Sequence, residues 1–96
     1  MTSSDSPEPV TLLIKPDCHL CGDALHIARE VCLEFGLSLS EQSIFDGSGA
    51  LLPEYVQFAE EVPVLLIDGI QRDFWKIDPV RMRRLLAVRR DSGGTD

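Results

Sequence analysis

A short apolar run, Val10-Thr11-Leu12-Leu13-Ile14, is broken by Lys15-Pro16-Asp17, and two cysteines three residues apart, Cys18 and Cys21, follow at once. A β-branched and aliphatic run bounded by a turn signal reads as a buried strand. The Lys15-Pro16-Asp17 segment ends it with a tight connection. From the cysteines onward, Leu20, Cys21, Leu25, Ala28, Val31, Cys32 and Phe35 recur at three- and four-residue intervals, one apolar stripe of a helix that Gly36 can end. The chain must therefore pass from a buried strand into a helix through a Cys-x-x-Cys pair.

The remaining elements follow from the same reading. Leu37 to Phe45 is a weaker strand with Leu37, Leu39 and Phe45 on one face, and Asp46-Gly47-Ser48-Gly49 is a loop. Leu51 to Glu60 reads as a short helix with Pro53 in its first turn and Leu52, Val56 and Ala59 on a shared face. Pro63 to Ile67 is a strongly apolar strand, Asp68-Gly69 a hairpin dipeptide, and Ile70 to Trp75 the returning strand. Asp78-Pro79 starts a last helix, with Met82, Leu85 and Leu86 as its buried face. The expected fold is α/β, β-α-β-α-β-β-α, a four-stranded mixed sheet flanked by three helices. Its domain spans residues 10–90, and the tails 1–9 and 91–96 are expected to be disordered.

Composition excludes several function classes. At 96 residues there is room for one core. The longest apolar runs, Val10–Ile14 and Val62–Ile67, fall far short of the roughly 20 residues that span a bilayer. The first nine residues are polar and acidic, unlike a signal peptide, so a cytoplasmic location is expected. A net charge of −7 disfavours nucleic acid and anionic membrane as partners. Five of the nine basic residues, Arg81, Arg83, Arg84, Arg89 and Arg90, fall near the C-terminus. Such a cluster either grips an acidic partner or complements the helix dipole on a solvated face, and the second is the ordinary behaviour of charge runs.

The cysteine pair carries the chemistry. Only a thiolate attacks a disulfide, so a redox centre needs one acidified cysteine and a second within bonding reach. Residues three apart within a helix hold their Cβ atoms about 5–6 Å apart, whereas a disulfide needs about 3.5–4.5 Å. A Cys18 at the cap position, outside helical dihedrals, closes that gap and faces the free amides of the helix start, which favour thiolate. Lys15 and a protonated His19 push the same way, while Asp17 and Asp23 oppose them. Cys18, at the exposed start, is then the attacking thiol and Cys21, one turn inward, the resolving one.

Other readings compete. The pair is half of a zinc or iron–sulfur site only if ligands come from elsewhere, since Cys32 and His26 lie inside the same helix pattern; a metal shared between two chains is the remaining form. A redox-inactive module that binds a partner is a third reading. Cys32 reads as a small core residue, His26 as a helix surface residue, and Phe74 and Trp75 as packing residues or, at a sheet edge, as aromatics that contact a partner.

Three segments together resemble the small bacterial glutaredoxin-like proteins of the thioredoxin superfamily: the strand ending in Lys15-Pro16-Asp17-Cys18-His19-Leu20-Cys21, the stretch Val62-Pro63-Val64-Leu65-Leu66-Ile67-Asp68-Gly69, and Phe74-Trp75. The resemblance covers about Val10 to Ala87 and implies a thioredoxin-like fold and a thiol–disulfide oxidoreductase activity. It implies a cis bond between Val62 and Pro63, opposite the cysteines, that presents the Val62 backbone to an extended substrate. It also matches Lys15 to a lysine that helps bind the glutathione carboxylate. The substrate-binding set is then Lys15, His19, Val62 and Pro63. No bound cofactor and no metal are expected, glutathione or another low-molecular-weight thiol is the candidate reductant, and a monomer acting on disulfide-containing proteins or small-molecule thiols is implied. Between the cysteines stand His19 and Leu20 where glutaredoxins commonly carry proline and tyrosine. A single Asp68-Gly69 stands where they carry a glycine pair followed by acidic residues.

Overall fold

The structure, a computed structural model, describes residues 9–93. Its strands are β1 (Val10–Ile14), β2 (Leu39–Ser43), β3 (Val64–Ile67) and β4 (Ile70–Phe74), and its α-helices are α1 (His19–Phe35) and α2 (Pro79–Gly93). A 3-10 helix, Pro53–Phe58, precedes β3. The strands form one sheet in the order β2-β1-β3-β4, with β1 parallel to β2 and antiparallel to β3, and β3 antiparallel to β4. The α/β class, the mixed four-stranded sheet and the three helices are as the element order implied.

Alternation along the strands separates two cores. Val10 and Leu12 of β1, with Leu65 and Ile67 of β3, face α1 and α2 and bury Ala24, Ala28, Val31, Cys32, Met82 and Leu86. Leu13 and Val64 face the other way and pack with Ile44, Val62 and the 3-10 helix residues Tyr55 and Phe58. Leu12, Leu13 and Leu65 are fully buried, each worth about 1.5–3 kcal/mol of apolar transfer. A sheet covered on both faces explains why these strands read as nearly continuous apolar runs.

Several boundaries depart from the sequence reading. The helix expected over Leu51 to Glu60 is a six-residue 3-10 helix, and Leu51 instead forms an isolated antiparallel bridge with Phe45 across the Asp46–Ala50 loop. The Asp46 carboxylate organises that loop by accepting from the backbone N–H groups of Ser48 and Ala50 and from the Ser48 hydroxyl. β2 is shorter than Leu37 to Phe45, and Phe45 packs on the core opposite to that of Leu37 and Leu39, because the chain turns after Ser43. β3 begins at Val64, not Pro63, and β4 ends at Phe74, leaving Trp75 outside the strand. Residues 91–93, expected in a tail, belong to α2. Pro9, also assigned to a tail, accepts a hydrogen bond from the Asp68 amide at 2.9 Å. Residues 1–8 and 94–96, the rest of those tails, lie outside the described residues.

Four of the five C-terminal arginines are used within the chain. Arg83 makes a two-pronged ion pair with Glu34 at 2.9 Å, joining α2 to α1 and holding the Glu34 carboxyl below its usual range. Arg89 pairs with Asp68, Arg81 donates to the Arg72 carbonyl, and Arg90 lies 5.0 Å over the Phe35 ring. No helix among the described residues is long and apolar enough to cross a membrane.

Candidate active site

Antiparallel pairing of β1 with β3 puts the end of β1 beside the start of β3: Leu13 faces Val64, so Lys15–Cys18 and Val62-Pro63 leave the sheet at the same end. Val64 in turn faces Phe74, which brings the end of β4 and the start of α2 to that end too. Residues more than 40 positions apart in the chain thereby surround the start of α1.

Cys18 is the N-cap of α1, with φ −117° and ψ 110° in the extended region. Its Sγ accepts a hydrogen bond from the Cys21 backbone N–H at 3.2 Å, so a sulfur occupies the place an oxygen usually takes at a helix start. Cys18 and Cys21 are joined in a disulfide with their Cα atoms 5.3 Å apart. The cap conformation is what allows the bond at this spacing. No acidic residue lies in the first turn of α1, so no carboxylate there opposes negative charge on the sulfur. Asp17, just before the cap, adopts φ 55°, a left-handed conformation that aspartate tolerates better than most residues.

Accessibility splits the pair. Cys18 is half-buried, while Cys21 is 4% exposed and lies on the buried side of α1. Lys15 and His19 are exposed on either side of Cys18. Leu20, placed on the apolar stripe by the sequence, is 40% exposed: one residue before Cys21, it is turned about 100° away from the buried face. It borders a groove of about 660 Å³ whose walls include Ala24 and Ile27 of α1 and Ile77 and Pro79 from the start of α2. No local pattern marks this groove, because its two walls are some 50 residues apart in the chain.

On the far side, the Val62–Pro63 peptide bond is cis, and both side chains are buried, Val62 within the second core. Phe74 and Trp75, read as packing residues, are instead 40% and 54% exposed and stack edge-on with ring centroids 5.1 Å apart. Trp75 is fastened to the segment before β3: its backbone N–H donates to the Pro63 and Glu61 carbonyls, and its indole N–H to the Glu60 carbonyl. Nothing in the residue order signals that role. Among the described residues there is no group of three or more histidine, cysteine or acidic side chains placed to hold a metal ion. His26 sits on the surface of α1 beside Glu30, and Cys32 is buried in the first core, its thiol pushed up by burial.

This arrangement has counterparts among known proteins. No curated protein matches the chain. A solved structure, the X-ray structure of Northeast Structural Genomics target protein XcR50 from X. campestris, is similar to it with a TM-score of 0.63 and 25% identity, covering 82% of this chain and 96% of that one. Residues 9–87 match the family described as the glutaredoxin-like domain (DUF836), a stretch that includes the cysteine pair, the Val62-Pro63 segment and the whole sheet. With that match running over most of its length, the chain belongs to the glutaredoxin-like domain family of the thioredoxin superfamily.

Proposed function

We propose that this protein is a thiol–disulfide oxidoreductase acting on protein or small-molecule disulfides. The observation that carries the reading is Cys18 at the cap of α1, its sulfur receiving the Cys21 amide and already bonded to the second thiol. In the reduced protein the same amide and the positive end of the helix favour thiolate at Cys18.

The Cys18 thiolate attacks one sulfur of a substrate disulfide, forming a Cys18 mixed disulfide and releasing the other substrate sulfur as a thiolate that takes up a proton. Cys21, after losing its proton, attacks Cys18 Sγ. This forms the Cys18–Cys21 disulfide and releases the second substrate thiol. The substrate gains two electrons, and the protein is oxidised by the same two. Two equivalents of a low-molecular-weight thiol such as glutathione, or one dithiol, restore the reduced pair. In this reading the Lys15 ammonium lies beside the attacking sulfur and meets the carboxylate of a small thiol, and His19 borders the same sulfur from the first turn of α1. The Val62 backbone, set by Pro63, pairs with an extended substrate segment.

Cys21→Ser provides the test. Attack by Cys18 then proceeds and resolution does not, so incubation with a peptide disulfide accumulates a one-to-one adduct on Cys18, visible as a mass increase that dithiothreitol reverses. An adduct on Cys32 instead, or none under conditions where the wild type reduces the peptide, refutes the assignment.

A further inference from the structure

We propose that Trp75 is a positioning residue for the segment Glu60–Pro63, an inference that rests on the oxidoreductase reading above and assigns a residue that decides how well an extended substrate is held. Three hydrogen bonds from this one residue converge on that segment. The backbone N–H donates to the Pro63 carbonyl at 2.8 Å and to the Glu61 carbonyl at 3.2 Å, and the indole Nε1–H to the Glu60 carbonyl at 3.0 Å.

Trp75 adopts φ 63°, in the left-handed region, where a bulky side chain is unfavourable and persists only if its surroundings hold it there. Burial does not supply that hold, since the side chain is 54% exposed. The hydrogen bonds do. The turn is braced from its other side by Asp73, whose Oδ1 accepts from the Phe74 amide at 2.9 Å and whose Oδ2 accepts from the Asp78 amide at 3.0 Å. The end of β4 is thus a fixed post, and Trp75 ties the segment before β3 to it. A tryptophan present only for packing would bury its ring and would not need this backbone conformation.

A substrate that pairs with the Val62 backbone takes its position from this segment, and its sulfur is presented to Cys18 accordingly. Loosening the tie weakens binding of extended substrates and leaves the reactivity of the Cys18 sulfur as it was, because Cys18 is fixed by α1 and not by β4. A disulfide too small to pair with backbone does not sense the change.

The experiment compares wild type with Trp75→Phe, which keeps an aromatic ring beside Phe74 and removes the indole donor. The two substrates are a synthetic peptide disulfide long enough to extend on both sides of its sulfur and bis(2-hydroxyethyl) disulfide. The expected result is a KM for the peptide raised about threefold to tenfold, the loss of one hydrogen bond. Its kcat stays within about twofold by the same argument, and kcat/KM for the small disulfide is unchanged. Equal peptide KM in the two proteins, or a parallel loss on both substrates, overturns the positioning role. A wild type that turns over neither substrate overturns the oxidoreductase reading, and the inference with it. Trp75 is the chain's one tryptophan, so its fluorescence gives a readout independent of the variant's folding. Trapping the peptide on Cys21→Ser shifts the emission and trapping 2-mercaptoethanol does not; identical spectra for the two adducts count against the proposal.

Discussion

Two helices start at the same end of the sheet, and they are capped by different chemistry. At α2 the Asp78 carboxylate accepts from the amides of Val80 and Arg81 at 2.9 and 3.4 Å, Pro79 stands at the first helical position, and the Asp78 amide is itself bonded to Asp73. At α1 the acceptor is the sulfur of Cys18, a weak acceptor that takes one amide. Aspartate is among the best cap residues, and cysteine is not among the preferred ones. The α2 start is therefore built for stability. The α1 start gives up cap strength and keeps its amides facing a sulfur; under the proposed oxidoreductase reading, their partial positive charge favours the thiolate once the disulfide is reduced.

Replacing the sulfur gives the largest expected effect. Cys18→Ser removes disulfide exchange to below detection while leaving a hydroxyl that accepts the Cys21 amide, so its melting temperature is no lower than that of the reduced wild type. Cys18→Ala loses exchange as well and is less stable than the serine variant by about 1 kcal/mol, the value of a cap. Turnover assays and thermal unfolding of reduced protein measure both. If serine and alanine are equally stable, the sulfur is not acting as a cap and the comparison of the two helix starts collapses.

A smaller effect is expected at the second start. Asp78→Ala lowers stability by about 1 kcal/mol, or about 4–8 °C in melting temperature for a domain of this size. The loss is the same in the reduced and the oxidised protein, because nothing about the α2 cap depends on the disulfide. A loss confined to one redox form would show that the two helix starts are coupled.

The asymmetry between the two starts was largely visible in the residues. Asp78-Pro79 announced a capped helix, and three-residue spacing required Cys18 to stand outside the helix if it was to reach Cys21. The apolar runs of β1 and β3 were legible because both sheet faces are covered, and Met82 and Leu86 because helical periodicity survives in α2. Elsewhere tertiary contacts override local pattern. Phe45 crosses to the other core because the chain turns after Ser43, and Ile44, fully buried, has no periodic partner to mark it. Leu51 is drawn into a bridge with Phe45, and the helix after it shrinks to a 3-10 segment. Trp75 looked like an ordinary strand aromatic, because its hydrogen bonds run to residues 12 to 15 positions earlier, contacts that exist only once β3 and β4 pair.

The third cysteine separates what the helix start contributes from what burial contributes. Cys32 is eleven residues after Cys21, three turns along the same face of α1, and the two are almost equally inaccessible at 2% and 4%. Cys32 has no sulfur partner, and burial pushes its thiol above the ordinary value of 9.0. A thiol that titrates higher in the folded than in the unfolded chain contributes stability that is complete below the unfolded value and is lost as pH rises through the folded one. Unfolding free energy measured by urea titration therefore falls above about pH 9, by at most about 1.4 kcal/mol per pH unit for this one proton. Cys32→Ala removes that part of the slope and costs about 1 kcal/mol at neutral pH, while turnover stays near that of the wild type. Tyr55 is the other group that burial raises, with Glu54 adding to it. An alkaline slope that survives Cys32→Ala and disappears in Tyr55→Phe would move the titration to the second core and leave Cys32 as an inert packing residue, sharpening the contrast with the cysteine at the helix start.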